Sequence, residues 1–298
     1  MNRFLKALGL VVLIAFFASC HKDDNSVTPP RDYGVQYNAD KDTLETYLKN
    51  HYIASVDADY NIAFADITNT ATQTSIWDQK VYPLQNKKVT SNEVEYTVYY
   101  MVLREGVGQS PTRADNILVS YRGILTDKKI TQFDYQPFPQ AASSLATTIE
   151  GWQEIIPLFK TGTYTDIPDN PNPAKYDDYG AGVMFLPSGL AYFNESPSGL
   201  VGAYACMIFN FKLYALEYTD LDSDGILNKD ETVPGVDIKD YDTDGDDIAN
   251  YLDADDDGDN YPTLYEIRMP GTTTPYPFED IPLCSGGTLK RHLDPNCH

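Results

Sequence analysis

The sequence predicts an α+β protein in which an antiparallel sheet wraps on one short helix, followed by an irregular segment of acid-rich repeats. Three observations predict it. Strand-like runs recur from Val94 onward: "VEYTVYYMVLREG", "NILVSYRGIL" over 116–125, "GVMFLPSGLAYF" and "ACMIFNFKLYALEY". One short amphipathic run, "TTIEGWQEIIPLFKTG" from Thr147 to Gly162, interrupts them and carries Trp152, one of only two tryptophans, on its first turn. Beyond the last run, from Glu217 to Asp259, 17 acids stand against Lys229 and Lys239.

The chain has 298 residues and 42% apolar content, enough for one or two domains with a sizeable core. A net charge of −22 excludes a nucleic-acid role. The N-terminus reads as a targeting segment. Arg3 and Lys6 precede an apolar run from Ala7 to Phe17, then Ala18, Ser19 and Cys20. That run falls short of the roughly 20 residues a bilayer span needs. The small-small-Cys ending resembles the lipobox of bacterial lipoproteins, which implies a signal peptide over 1–20 and acylation of Cys20. "HKDDN" resembles the Lys-Asp-Asp tag of surface lipoproteins in the Bacteroidetes group. Together these resemblances imply an outer-membrane lipoprotein of a Gram-negative bacterium, attached through lipid and exposed at the cell surface.

Residues 21–33, with Thr28-Pro29-Pro30, read as a tether, and 21–90 as tether plus an N-terminal region without assigned chemistry. Within it, Leu44, Tyr47 and Leu48 have helical spacing with Asp42 as the expected N-cap, and "NIAFADI" reads as a strand. The folded domain is expected over 91–219. Pro157, lacking an amide donor, is expected to kink or shorten the helix. "TYTDIPDNPNPAKYDDYGAG", between Gly162 and Val183, reads as an insertion long enough to gate a cleft or bind something itself.

The ordered set "VSYRGIL…FD…IEGWQEIIPLFKTG…FLPSGLAY…CMIFNFKLYAL" resembles an FKBP-type peptidyl-prolyl isomerase domain over roughly Val94 to Tyr218. The resemblance implies an FKBP-like sheet and a proline pocket built from Tyr121, Phe133, Asp134, Ile149, Trp152, Tyr192 and Phe209. It departs at Phe193, where the family has glycine. The chemistry is consistent with residues of this kind. Rotating an X–Pro amide crosses a barrier of about 18–20 kcal/mol and takes tens to hundreds of seconds unaided. No bond to carbon breaks, so no nucleophile, base, metal or organic cofactor is required. A dry aromatic basin disfavours the polar planar amide relative to the twisted one. Tyr121, Asp134 and Tyr192 are the polar groups expected to orient the peptide. The four histidines, His21, His51, His292 and His298, form no zinc spacing, and no Gly-x-Ser-x-Gly elbow is present.

The acidic segment, 220–266, divides into three loops. "DLDSDGILNKDE" sets Asp220, Asp222, Asp224, Asn228 and Glu231 at positions 1, 3, 5, 9 and 12, with the Ile226 carbonyl at 7. "DTDGDDIANYLD" repeats this with Asp242, Asp244, Asp246, Ile248, Asn250 and Asp253. "DDDGDNYPTLYE" does so with Asp255, Asp257, Asp259, Tyr261, Thr263 and Glu266. Oxygen ligands at these spacings suit calcium, which takes six to eight oxygens. Loop two ends at Asp253 and loop three starts at Asp255, leaving no room for EF-hand helices. The segment is similar to thrombospondin type 3 repeats, which implies structural calcium in a stiff rod. In the tail, 267–298, Cys284 and Cys297 are expected to pair, a closure worth about 3 kcal/mol. Cys206 reads as a small buried hydrophobe.

The partners expected are proline-containing polypeptides and, through Cys20, a membrane. Two other functions suit the same residues: a non-catalytic chaperone that grips proline segments, and a calcium-dependent surface or adhesion protein.

Overall fold

The computed structural model describes residues 29–165 and 175–297. The targeting segment, with Cys20, and part of the insertion lie outside the described residues. The fold is carried by the unit Asp32–His298.

Chain order is α1 (Tyr33–Asn50), β1 (His51–Val56), β2 (Ile62–Asp66), β3 (Leu84–Ser91), β4 (Val94–Arg104), β5 (Asn116–Leu125) and β6 (Gln132–Gln136). Then come β7 (Ser143–Ser144), α2 (Glu150–Ile155), β8 (Thr163–Thr165), β9 (Lys175–Asp177), β10 (Gly180–Leu186), β11 (Met207–Glu217) and α3 (Thr263–Glu266). One antiparallel sheet runs β3-β4-β10-β11-β5-β6, with β7 on β5, confirming the expected fold class. β3 lies upstream of residue 91, so the sheet starts earlier than the domain expected over 91–219.

Both faces of the sheet are covered. On one, Trp152, Ile155, Ile156 and Phe159 pack on Val119, Met184, Phe209 and Phe211. On the other, Leu44, Tyr47 and Leu48 of α1, with Ile62 and Phe64 of β2, cover Tyr99, Val183, Phe185 and Ile208. This explains why β10 is buried at every position, where a strand with one wet face alternates. It also gives the region 34–90 a role: α1 and β2 supply the sheet's second cover, and β3 its edge strand.

α1 is longer than expected, and its N-cap is Asp32, whose carboxylate accepts from Val35 N at 2.9 Å. Asp42, the expected cap, lies inside the helix. The helix expected around Leu44–Leu48 is therefore present, longer than its spacing implied, and packs on the sheet. Buried Asp40 stitches α1 to the turn after β10, accepting from Ser188 N at 2.8 Å and Ser188 Oγ at 2.6 Å. α2 ends at Ile155, and Pro157 falls in the 3-10 turn Ile156–Leu158 that follows, the shortening its missing N–H predicts.

The acidic loops and the tail share a small core of Ile226, Ile267 and Ile281 with Tyr276 and Phe278. Thr219 joins this part to the sheet domain, its N–H donating to Asp115 Oδ1 at 2.9 Å. The Cys284 and Cys297 sulfurs are 2.10 Å apart with Cα atoms 5.7 Å apart, a normal disulfide span. Cys206 is buried and free. No described helix is long and apolar enough to cross a membrane.

Candidate functional site: an aromatic cleft and an acidic annex

Strand register assembles the cleft. Phe209 of β11 pairs with Gly123 of β5, and Gly123 pairs with Asp134 of β6. Gly123 makes room for the rings: a Cβ there would stand 2.6 Å from Phe133 Cζ and 3.0 Å from Phe209 Cε1. Trp152 enters from α2, which is held by an ion cluster around a buried acid two residues on. Glu154 accepts from Arg113 Nη2 at 2.8 Å and lies 2.7 Å from Lys87 Nζ.

The result is a cavity of about 430 Å³ lined by Tyr121, Asp134, Ile149, Trp152, Tyr192 and Phe209. Trp152 is only 6% exposed, and its indole meets Tyr121 and Phe209 edge-on at 4.9 and 5.3 Å. Its Nε1–H is buried without a hydrogen-bond partner. The Tyr121 hydroxyl donates to Asp134 Oδ2 at 2.8 Å. Burial raises the Tyr121 and Tyr192 phenols above their ordinary range, so both stay protonated donors at neutral pH.

Six of the seven expected residues therefore share one enclosure. Phe133 does not line it and instead backs Phe209, ring to ring at 5.5 Å. Sequence reasoning missed the remaining wall, Gln136, Pro139, Ala141, Ser143, Thr147 and Thr148, and Val119 within β5. The wall's irregular loop has no periodicity to read. Val119 was visible as an alternating position of β5.

Phe193 does not line the cavity. It keeps a left-handed backbone, φ 49°, and stacks on Tyr33 at 3.9 Å and edge-on to Tyr204 at 5.1 Å. Among the described residues, the insertion lines a different hollow of about 370 Å³ beyond Tyr121, where Tyr176 faces Tyr179, Tyr214 and Lys212.

The three acidic loops repeat one backbone. Position 4 is left-handed in each, at Ser223, Gly245 and Gly258, and so is position 6, at Gly225, Asp247 and Asn260. Position 1 receives the position 6 amide at 3.0 Å in all three. Position 5 receives the position 7 amide at 2.7 to 2.8 Å. Position 9 has another task than the one expected. Asn228, Asn250 and Thr263 are buried and accept from the position 2 amides of Leu221, Thr243 and Asp256. Asn228 and Asn250 also donate back to Thr219 and Thr243. These are clasps that hold each loop rather than open ligands.

The carboxylates fit a hard cation. Those of Asp220, Asp222 and Asp224 approach within 4.8 Å, as do those of Asp242, Asp244 and Asp246, and of Asp255, Asp257 and Asp259. In the first and third loops the position 12 acids, Glu231 and Glu266, are 3% and 1% exposed, and all four of their oxygens lack a partner. Buried, unpaired carboxylates of this kind are costly without a positive charge. Burial, reinforced by neighbouring acids, pushes Asp224 and Glu266 up to about 8 and Glu231 to about 10. In the second loop Asp244 and Asp246 are exposed, and Asp253 Oδ1 accepts from Asp255 N at 3.0 Å. The position 7 side chains differ likewise: Ile226 is buried in the small core, whereas Ile248 and Tyr261 are exposed.

An antiparallel sheet laid on a short helix, with an aromatic cavity at the helix start, is the FKBP-like arrangement expected from the sequence motifs. Curated relatives agree. The chain is 29% identical over 118 residues to the peptidyl-prolyl cis-trans isomerase Mip of Coxiella burnetii, covering 40% of this chain and 44% of that protein. It is 31% identical over 140 residues to FkpA of Aeromonas hydrophila, covering 46% and 45%. A third relative, 24% identical over 118 residues, is the outer membrane protein MIP of Legionella longbeachae, covering 40% and 43%. FKBP-type isomerase homology thus runs over about 40% of the chain, which spans about half the length of these relatives. Residues 217–291 match the family model described as BamM C-terminal. Among solved structures, a peptidyl-prolyl isomerase from Pseudomonas syringae pv. tomato overlaps with a TM-score of 0.37 at 16% identity, covering 61% of this chain and 94% of that one.

Proposed function

We propose that this chain is a peptidyl-prolyl cis-trans isomerase acting on exported polypeptides, held at the outer membrane through lipid on Cys20 and carrying calcium-binding repeats. The observation that carries the enzymatic reading is the shared enclosure of Tyr121, Asp134, Ile149, Trp152, Tyr192 and Phe209. A pyrrolidine ring enters against the indole, with Tyr121 and Phe209 as walls perpendicular to it. Water is thinned around the amide, which weakens the planar, charge-separated form more than the twisted one. The Tyr121–Asp134 hydrogen bond fixes the polar edge of the cleft. The Trp152 Nε1–H supplies a donor whose acceptor is left to the bound peptide.

Calcium in the first and third loops neutralises carboxylates that otherwise repel one another. Asp220, Asp222, Asp224, Glu231 and the Ile226 carbonyl would hold one ion, and Asp255, Asp257, Asp259, Glu266 and the Tyr261 carbonyl another. Extracellular sites of this type commonly bind at about 10⁻⁴–10⁻³ M, levels available outside the cell.

A protease-coupled proline-isomerisation assay tests the enzyme. The wild type is expected to accelerate the slow phase, and Trp152→Leu to lose at least about tenfold of kcat/KM. A wild-type rate equal to buffer overturns catalysis and leaves proline-segment binding without turnover.

A further inference from the structure

Asp256 occupies position 2 of the third loop, a place with no ligand role in the repeat pattern. It is nevertheless 2% exposed, and neither of its carboxylate oxygens has a hydrogen-bond partner. Its nearest acids belong to another loop. Oxygens of Asp224, Glu231 and Asp256 lie within 4.8 Å of one another. Asp224 Oδ2 and both Glu231 oxygens are likewise buried and unpartnered. Asp224 is also the third acid of the Asp220–Asp222–Asp224 group, so the two clusters meet at one side chain. The Asp256 backbone is pinned as well, its N–H donating to the buried Thr263 hydroxyl at 3.1 Å.

We propose that Asp256 is a ligand to the cation held by the first loop, so that filling that site clamps the third loop onto the first. The inference rests on the calcium reading above and deepens it. An all-oxygen, all-carboxylate set selects a hard divalent ion over soft metals, and calcium tolerates a shell assembled from distant segments. Three carboxylates this close, with Asp224 Oδ2 and both oxygens of Glu231 and Asp256 unpartnered, repel without a cation between them, and attract through one when it is bound. The first and third loops then form one binding unit.

The full chain, freed of metal by chelation and desalting, is titrated with calcium chloride by calorimetry, alongside Asp256→Asn, Glu231→Gln and Asp242→Asn. Asp256→Asn is expected to weaken the tightest binding event at least tenfold, and Asp242→Asn to leave it within twofold. Chymotryptic cleavage after Tyr265 reports the clamp. Calcium is expected to suppress it in the wild type and in Asp242→Asn. Glu231→Gln, altered only in the first loop, is expected to lose that suppression in the third, a readout that stands even if Asp256→Asn fails to fold. Wild-type affinity in Asp256→Asn, or full calcium protection of Tyr265 in Glu231→Gln, overturns the clamp. A wild type that shows neither heat nor protection overturns the calcium reading beneath it.

Discussion

Phe193 shows how a single residue can break a family pattern and keep its geometry. A left-handed backbone disfavours any Cβ and costs roughly 1–2 kcal/mol. Here the ring is buried between Tyr33 and Tyr204, and that burial offsets the strain. Phe193→Gly is therefore expected to destabilise the protein by about 2 kcal/mol in urea unfolding, because lost ring burial outweighs relieved strain. Tyr121→Phe keeps the ring of the cleft and removes one hydrogen bond to Asp134. Its kcat/KM is expected to fall by roughly threefold to tenfold, less than for Trp152→Leu, in the same proline assay. The motif residues were legible because each sits inside a local pattern. Phe133 was misplaced because a Phe-Asp pair on a strand points its two side chains to opposite sides, and only the register with Gly123 shows which one the cavity takes.

Among the elements, α2 and the acidic loops each depend on buried charge. Glu154 fixes α2 through Arg113 and Lys87, and Glu154→Ala strands a buried guanidinium. A loss of about 3 kcal/mol is expected, read by thermal melting, with weakened turnover because Trp152 rides on the same helix. The loops add a pH dependence. In protein stripped of cations, Asp224, Glu231 and Glu266 have folded pKa values near 8, 10 and 8, above their ordinary 3.8 and 4.5. The folded state then holds more protons than the unfolded one. Stability without calcium is expected to be greatest in acid, below the unfolded values, and to be lost as pH rises toward those folded values. Calcium reverses the trend, since rising pH frees its ligands; urea melts at pH 5 and pH 8, with and without calcium, check both signs. The repeat of acids at positions 1, 3 and 5 was readable, and each trio comes together in the structure. The clasp at position 9 was not readable, because Asn and Thr suit a ligand and a backbone acceptor alike. Asp256 was missed because its partners lie 25 and 32 residues upstream, beyond any loop template.

At the scale of the molecule, the strand runs gave away the sheet and its helix, while the second cover did not show. An amphipathic α1 reads the same whether it floats on a tether or lies on a sheet, and only the uninterrupted burial of β10 distinguishes the two. Removing residues 33–50 is expected to bare Tyr99, Val183, Phe185 and Ile208, giving a protein that aggregates or binds a hydrophobic dye. The three loops also fold back instead of extending as a rod: Asp256 of the third stands against Glu231 of the first, and the tail shares their core. The stacking of Tyr33 on Phe193 has a mechanical corollary. Tyr33 opens the first helix, and Phe193 is the immediate neighbour of Tyr192 in the cleft. The start of that helix is thus braced, through one ring contact, against the residue beside the cleft, so a displacement of Tyr33 is passed to the backbone that carries Tyr192.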